Sequence, residues 1–408
     1  MARNNIIVGL DIGTYKVRAV VASIKEKEGV KPRIIGVGES YSLGMRKGVV
    51  VDIEEMIKSI KKAIDHAERG SGVSIEKAYI SIGGSHIKAK NSKGVVAVSR
   101  ADEEVSEDDV LRAINNASAV SLDSNREVIH VIPREFSIDG QEGIQDPRGM
   151  TGVRLEVDTL IVEGLSPYIK NLRKCLDNAG VDVEGLVLNI LAASSAVLSR
   201  RQKELGVLVL DLGGGTAGMT VYEERKLIHA HILPVGSAHI TNDIAIGLRT
   251  SIETAEKVKL NYATCLPEEV NKKDTVDLSK IDEKEEGMVS RKEIAKITEA
   301  RIEEIFSLVN KELKKIDRER LLPSGAVLVG GGSKIPGIID LAKERLKLPV
   351  QIGYPQEIDG LVDKVDDPAF ATAIGLIFWA LEMQGERQMP STINTVNKIK
   401  RWFRNFLP

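Results

Sequence analysis

The sequence predicts an α/β protein made of two related lobes that face each other across a cleft. Three observations carry this. A strand, a glycine turn and a second strand occupy Ile6 to Ser23, and the same pattern returns at Gly206 to Glu224. Asp11 and Asp211 lie 200 residues apart, and each follows an apolar strand and precedes a glycine turn. A third glycine run, Gly330-Gly331-Gly332-Ser333, joins a strand to a helix.

Composition bounds the function. The 408 residues include 57 basic and 59 acidic side chains, 42% hydrophobic residues and 4% aromatics. That length accommodates two or three domains with a substantial core. A formal charge of −2 removes the usual electrostatic ground for nucleic-acid binding, and none is expected. Cys175 and Cys265 are too few for a disulfide framework and fit a reducing compartment. No run of about 18 apolar residues is present, so no transmembrane helix is expected. The opening MARNNIIVGLDIG is too short and too polar in its apolar part for a signal peptide.

The elements follow in order. Residues 1–84 form the first part of one lobe: the hairpin at Ile6 to Ser23, a helix over Asp52 to Ala67, and a strand AYISIGG at Ala78 to Gly84. The helix shows Ile53, Met56, Ile57, Ile60 and Ile64 on one face. From 85 to 163 the texture changes to short strands, a helix over Glu107 to Ala119, and a Gly/Asp/Pro-rich loop from Asp139 to Gly152. This reads as an inserted small α/β subdomain. The first lobe resumes over 164–205 with helices at Pro167 to Ala179 and Leu186 to Leu198.

The second lobe opens over 206–241 and extends into an outer subdomain over 242–320. That subdomain holds a helix at Thr254 to Ala263, a charged surface excursion at Glu268 to Glu293, and a long amphipathic helix from Glu293 to Ile316. Residues 321–383 complete the lobe with the Gly330 turn, its helix, and an Ala-rich return helix from Asp367 to Leu381. Residues 384–395 have linker composition, and 396–408 form a terminal amphipathic helix.

The three turns suit a phosphate. Glycines at Gly13, Gly213, Gly214, Gly215, Gly330, Gly331 and Gly332 let backbone N–H groups converge on an anion. The hydroxyls of Thr14, Thr216 and Ser333 are further candidate partners. Asp11 and Asp211 would face one another across the cleft. Such a pair repels itself unless a cation lies between, and Mg²⁺ held through water suits it. Gly213-x-Gly215-x-x-Gly218 matches the dinucleotide fingerprint in letters only, because the strand-like MTVYEE follows where a helix is required. No P-loop pattern occurs.

With these motifs in hand, the chain resembles the actin/sugar-kinase/DnaK superfamily. DIGTYKV is similar to its first phosphate motif, DLGGGTAGMTV to its second, and VLVGGGSKIPGI to its adenosine motif. The Ala371 to Gly375 stretch resembles its second connecting helix. Thr254-Ala255-Glu256-Lys257-Val258-Lys259 resembles its A-E-x-x-K helix. Within the superfamily, the N-terminus, the inserted module, PVGSAHITNDIAIGL and the tail together resemble the bacterial cell-division family FtsA.

The resemblance implies an actin-like two-lobed ATPase fold that binds ATP and Mg²⁺. It adds Lys16 to the first phosphate site and places Glu256 and Lys259 at the ribose and base. It implies assembly into an actin-like polymer, contact with other divisome proteins, and a place on the cytoplasmic face of the cell membrane at the division site. It also implies capture of the C-terminal peptide of FtsZ, with Arg301 and Glu304 at the peptide-contacting positions. Hydrolysing superfamily members carry Gln or Glu on the helix before the second phosphate motif. Here LNILAASS offers only Asn189, expected to act as a helix-start residue, so weak or no hydrolysis is expected.

The tail is readable on its own. Val396, Ile399, Trp402, Phe403, Phe406 and Leu407 fill an arc of about 140° on a helical wheel. Lys400, Arg401 and Arg404 lie opposite, and no acidic residue follows Glu386. This pattern describes a helix lying on an anionic membrane surface. It also unmasks the charge average: the last twelve residues hold four of the 57 basic groups, leaving 53 against 59 acidic ones in the body.

Six histidines are present, and His229 and His231 share one face of a strand. No cysteine or carboxylate stands at ligand spacing beside them, so structural roles are expected. Two rival functions share the fold: a small-molecule kinase, and an ATP-binding adaptor of another envelope machine such as pilus assembly.

Overall fold

The computed structural model describes residues 5–25, 31–99, 102–119 and 124–385. Of the linker expected over 384–395, residues 384 and 385 belong instead to the last helix; the rest of it and the terminal helix, with Ile399, Lys400, Arg401, Trp402, Phe403, Arg404, Phe406 and Leu407, lie outside the described residues.

Strands β1 (Asn5–Ile12) and β2 (Lys16–Ile24) form an antiparallel hairpin with Asp11 opposite Arg18. Both are buried on two faces, as unbroken apolar runs require. β3 (Arg33–Tyr41) continues the sheet, and α1 (Ile53–Ser71) packs on it. The Asp52 carboxylate caps this helix by accepting from the Glu55 N–H at 3.1 Å. Gly72, at φ 70°, ends it. The helix therefore runs four residues past the expected end at Ala67. β4 (Lys77–Ile82) lies parallel to β1.

Next comes a separate antiparallel sheet. It contains β5 (Lys88–Ala97), β6 (Arg126–Ile138), β7 (Gln141–Ile144) and β8 (Arg154–Leu165), in the order β5-β8-β6-β7. Between β5 and β6 lies α2 (Glu107–Ala119), whose apolar face closes a small core with Phe136, Ile138, Leu155 and Val157.

The chain then returns through α3 (Ser166–Ala179), β9 (Asp182–Leu188) and α4 (Asn189–Val197). The helix expected from Leu186 starts at Asn189, because Leu186 to Leu188 pair with Ile80 to Ile82 as strand. A short unbroken apolar run carries no periodicity that separates strand from helix. The first sheet reads β9-β4-β1-β2-β3, with a two-residue strand at Asp359–Gly360 on its edge.

The second lobe repeats the plan. β10 (Val207–Leu212), β11 (Ala217–Glu223) and β12 (Lys226–Leu233) form an antiparallel meander with Asp211 opposite Gly218. α5 (Ser237–Leu248), α6 (Ile252–Tyr262) and α7 (Arg291–Lys315) build its outer part. The charged stretch between α6 and α7 is mostly exposed and carries a short hairpin, Thr275–Asp277 with Met288–Ser290.

β13 (Ala326–Val329) runs parallel to β10. The Gly330 turn does not open the next helix directly. A 3₁₀ turn covers Gly331–Lys334, Pro336 follows, and α8 begins only at Ile338 (Ile338–Leu346). β14 (Val350–Ile352) completes the sheet β12-β11-β10-β13-β14. The return helix is preceded by a 3₁₀ turn at Pro368–Phe370 and forms α9 (Ala371–Gly385).

Two helices join the lobes. α4 lies on the second lobe's sheet, where the Ser194 and Thr220 hydroxyls meet at 2.9 Å. α9 lies on the first lobe's sheet, close enough that a Cβ on Gly9 would sit 2.4 Å from the Ala373 carbonyl oxygen. The helices cross backbone to backbone: a Cβ on Gly375 would fall 1.7 Å from the Ala192 carbonyl oxygen. Small residues make this crossing possible, and it sits at the root of the cleft.

Candidate functional site

The two hairpin turns close identically. Gly13 N–H donates to the Lys16 carbonyl at 3.2 Å, and Gly213 N–H donates to the Thr216 carbonyl at 3.1 Å. Together with the Gly330 turn they surround a cavity of about 600 Å³. Asp11, Gly13, Thr14, Lys16, Asp211, Gly213, Gly214, Thr216, Glu256, Lys259, Gly330, Gly331 and Gly332 all line it.

Gly215 and Ser333 are placed elsewhere. A Cβ on Gly215 would lie 2.9 Å from Thr14 and from Lys47, so this residue is where the second turn meets the first lobe. The Ser333 hydroxyl is buried and donates to the Gly330 carbonyl at 2.7 Å. It stabilises the turn from within.

Asp11 and Asp211 are both buried at the ends of their strands. Asp11 accepts from the Ser81 hydroxyl at 2.8 Å, and that hydroxyl accepts from the Ile12 N–H at 2.8 Å. Arg18, facing Asp11 across the hairpin, brings a guanidinium nitrogen to 3.9 Å. Asp211 has less help: the Asn189 amide donates to it at 3.4 Å. Burial pushes the Asp11 carboxyl above its usual range, opposed by Arg18 and Ser81. Asp211 is pushed up to about 7 by burial and then by the Asp11 charge, with Arg18 opposing.

A buried carboxylate pair of this kind is relieved by a dication. The all-oxygen donor set fits Mg²⁺. Gly330 sharpens the fit. It sits at φ 82°, and a Cβ there would lie 2.2 Å from Asp211 Oδ1, so only glycine lets this backbone approach the carboxylate.

The polar walls are pre-organised. Lys16 lies 3.1 Å from Glu39, which also takes the Arg18 guanidinium at 2.9 Å. Thr14 Oγ1 accepts from the Gly48 N–H at 3.0 Å. Glu256 pairs with Lys259 at 2.7 Å, and Thr241 bridges them, donating to Glu256 at 2.5 Å and accepting from Lys259 at 2.9 Å. Burial and the neighbouring Glu256 push the Tyr15 hydroxyl up to about 12.

Asn189 begins α4 but does not cap it; Leu188 occupies that position without a side-chain bond. Its amide reaches Asp211 instead, and its Oδ1 is buried with no hydrogen-bond partner. Arg18, Ser81 and Glu39 were not expected at the site. Their sequence signal is modest but real: Arg18 and Ser81 each interrupt an otherwise apolar strand.

Arg301 and Glu304 lie away from the cleft, on α7. The Arg301 guanidinium makes a two-pronged contact with Asp243 of α5 at 2.6 and 2.8 Å and also pairs with Glu304. Glu304 borders a shallow groove with Glu303, Ser307, Lys311, Lys314 and Arg345.

Residues 208–375 match the family model "Cell division protein FtsA", and residues 84–163 match "SHS2 domain inserted in FTSA". The chain is 36% identical over 407 residues to cell division protein FtsA of Pseudomonas aeruginosa, covering 97% of both chains. The FtsA of Bacillus subtilis is 37% identical over 380 residues, with 93% of this chain and 84% of the relative covered.

The chain belongs to the FtsA family of cell division proteins.

The FtsA of Escherichia coli K12 shares 34% identity over 414 residues, with 98% and 97% covered. Solved structures show the same fold. MreB5 of Spiroplasma citri, described as bound to ADP, superposes with a TM-score of 0.54 at 14% identity, covering 95% of this chain and 99% of that one. A PilM–PilN type IV pilus biogenesis complex gives 0.64 at 15% identity, covering 92% and 98%. The FtsA-family chain thus has the actin-like two-lobed ATPase fold with the FtsA-type insert. Among the described residues no helix is long and apolar enough to cross a membrane. The likeness to PilM extends to the fold alone.

Proposed function

We propose that this chain is an ATP-binding, actin-like division protein that polymerises on the inner face of the cytoplasmic membrane and tethers FtsZ there. The observation that carries the nucleotide part is the buried Asp11–Asp211 pair facing three glycine turns. Asp11 and Asp211 would hold Mg²⁺ through water; the Gly13 and Gly213 N–H groups close the two turns and Gly215 packs on the first lobe, so the Gly214 N–H with the Thr14 and Thr216 hydroxyls would hold phosphate oxygens. Lys16 would add positive charge. Glu256 and Lys259, locked together by Thr241, would meet the ribose and base. Gly330 to Gly332 would lie under the adenosine. Bound Mg²⁺ supplies the charge that lets both carboxylates stay ionised while facing phosphate.

Asn189 is the group nearest Asp211 from the α4 side. Its amide is one methylene shorter than glutamine and already holds the carboxylate. It is poorly placed to orient an attacking water, which favours slow turnover. Binding then regulates assembly by joining both lobes across the pivot of α4 and α9.

Residues 396–408 would supply the membrane contact. One short amphipathic helix binds weakly, and a polymer raises the effective concentration of the next one. Arg301 and Glu304 on α7, beside the groove, would receive the C-terminal peptide of FtsZ, together with other divisome partners elsewhere on the surface. The test is co-sedimentation of the full chain with anionic vesicles, with and without Mg²⁺-ATP, and with a labelled FtsZ C-terminal peptide. The full chain should pellet with vesicles and carry the peptide with it, more so with ATP. A chain ending at Pro390 should stay in the supernatant. Equal pelleting of both chains would refute the tail as anchor.

A further inference from the structure

The strand β12 carries His229 and His231 on one face, and the fold brings to them a carboxylate that the linear spacing did not reveal. Glu312, near the end of α7, lies on that helix's buried side. Its Oε2 is 3.4 Å from His229 Nε2, and its Oε1 is 3.8 Å from His231 Nε2. All three donor atoms fall within 4.8 Å of one another. The rings are nearly parallel, with an interplanar angle of 11°.

We propose that His229, His231 and Glu312 form a transition-metal site of the zinc class, distinct from the nucleotide cleft.

The ligand chemistry fits. Two imidazoles and one carboxylate are a standard zinc donor set, with metal–ligand distances of roughly 2.0–2.2 Å. Tetrahedral placement at that radius separates ligand atoms by roughly 3.4 Å, close to the spacings observed before any ion draws the side chains together. His229 Nε2 is buried without a hydrogen-bond partner, despite lying next to the carboxylate. His231 is partly exposed, leaving an open side for water or another ligand.

One group competes. Lys315 lies 2.6 Å from Glu312 Oε1, but its side chain is well exposed and free to swing into solvent. The location gives the ion something to do. β12 is the outer strand of its sheet, and the inserted subdomain abuts it: Arg134 donates to the Ile228 carbonyl at 2.5 Å, and Lys226 pairs with Glu135. A bound ion would pin α7 to this strand beside that contact.

The test uses Co²⁺ as probe. The full chain is stripped with chelator, saturated with Mg²⁺ to occupy other oxygen sites, and titrated with Co²⁺. One equivalent should produce the visible absorption of four- or five-coordinate Co²⁺ without thiolate charge-transfer bands, and Zn²⁺ should displace it. His231→Gln and Glu312→Gln should weaken binding at least about tenfold with an unchanged circular-dichroism spectrum. Lys315→Gln should tighten it. Absence of the band, thiolate character in it, or its survival unchanged in His231→Gln would overturn the proposal.

Discussion

Replacing Gly375 by alanine probes the pivot between the lobes. The added Cβ would sit 1.7 Å from the Ala192 carbonyl oxygen, where real Cβ atoms essentially never come within 3.0 Å. The contact is with backbone in the middle of α4, so no side chain can rotate away. The two helices must part by more than an ångström. Overpacking of this kind costs about 3 kcal/mol at its upper range. Alanine's better helix propensity returns about 1 kcal/mol. The net expectation is a loss of about 2 kcal/mol, read as a lower urea midpoint in the first unfolding transition.

Function should suffer with it, because separating the helices shifts the start of α4, where Asn189 holds Asp211. Mg²⁺-ATP affinity should therefore fall. Gly70→Ala is the internal control. It sits in α1 with nothing nearer than 3.9 Å to the new Cβ, so only the propensity term acts. A gain of about 0.5–1 kcal/mol is expected there. Gly375→Ala at or above wild-type stability would refute the backbone crossing as the reason for the glycine.

Three further outcomes follow from the electrostatics. Asp211→Asn should stabilise the chelator-treated protein while abolishing its thermal stabilisation by Mg²⁺-ATP. The shift from 3.8 to about 7 corresponds to about 4 kcal/mol of strain at neutral pH. A raised folded pKa means the cost is full above about 7 and vanishes as pH falls to 3.8, so the advantage of the variant in urea unfolding should shrink over that window. Arg18→Met should act oppositely, costing about 3 kcal/mol by leaving Asp11 and Glu39 without their shared cation; a neutral result would show that Arg18 is not what holds the pair. Asp109→Asn should destabilise by about 2 kcal/mol at pH 7. Asp109 is fully buried, and burial alone would raise its pKa. Its bonds from Ser106, Ser99 and Arg112 prevail and hold it well below the usual range. That stabilisation is present above about 3.8 and lost as the pH falls further, so wild type and variant should converge in acid unfolding curves.

Much of the plan was legible in the letters. The two D-x-G turns announced themselves because a carboxylate and glycines at the end of an apolar strand have few other uses. The amphipathic faces of α1 and α7 were equally plain, since 3.6-residue periodicity survives wherever one side meets water. Legibility failed where that contrast vanishes. Leu186 to Leu188 are three consecutive apolar residues leading into an apolar helix, so strand and helix look alike there. Pro336 delayed α8 past the glycine turn. The cleft's supporting cast was harder still. Arg18 and Ser81 act across strand pairings, and Glu312 reaches His229 and His231 from 83 and 81 residues further along. Such meetings depend on register and helix placement, which no local spacing encodes.

The matched hairpins also bear on how the two sides of the cleft differ. Asp11 and Asp211 occupy the same place in copies of one unit, and a perfect two-fold arrangement would leave their carboxylates interchangeable. The residue opposite each breaks the equivalence: Arg18 faces Asp11, while Gly218 faces Asp211. The hydroxyl of Ser81 on Asp11 and the amide of Asn189 on Asp211 add to the difference. Of the two carboxyls, Asp211 is therefore the one without a facing cation. Symmetry in the backbone with different neighbours at each carboxylate gives the two halves of the cleft different electrostatic characters.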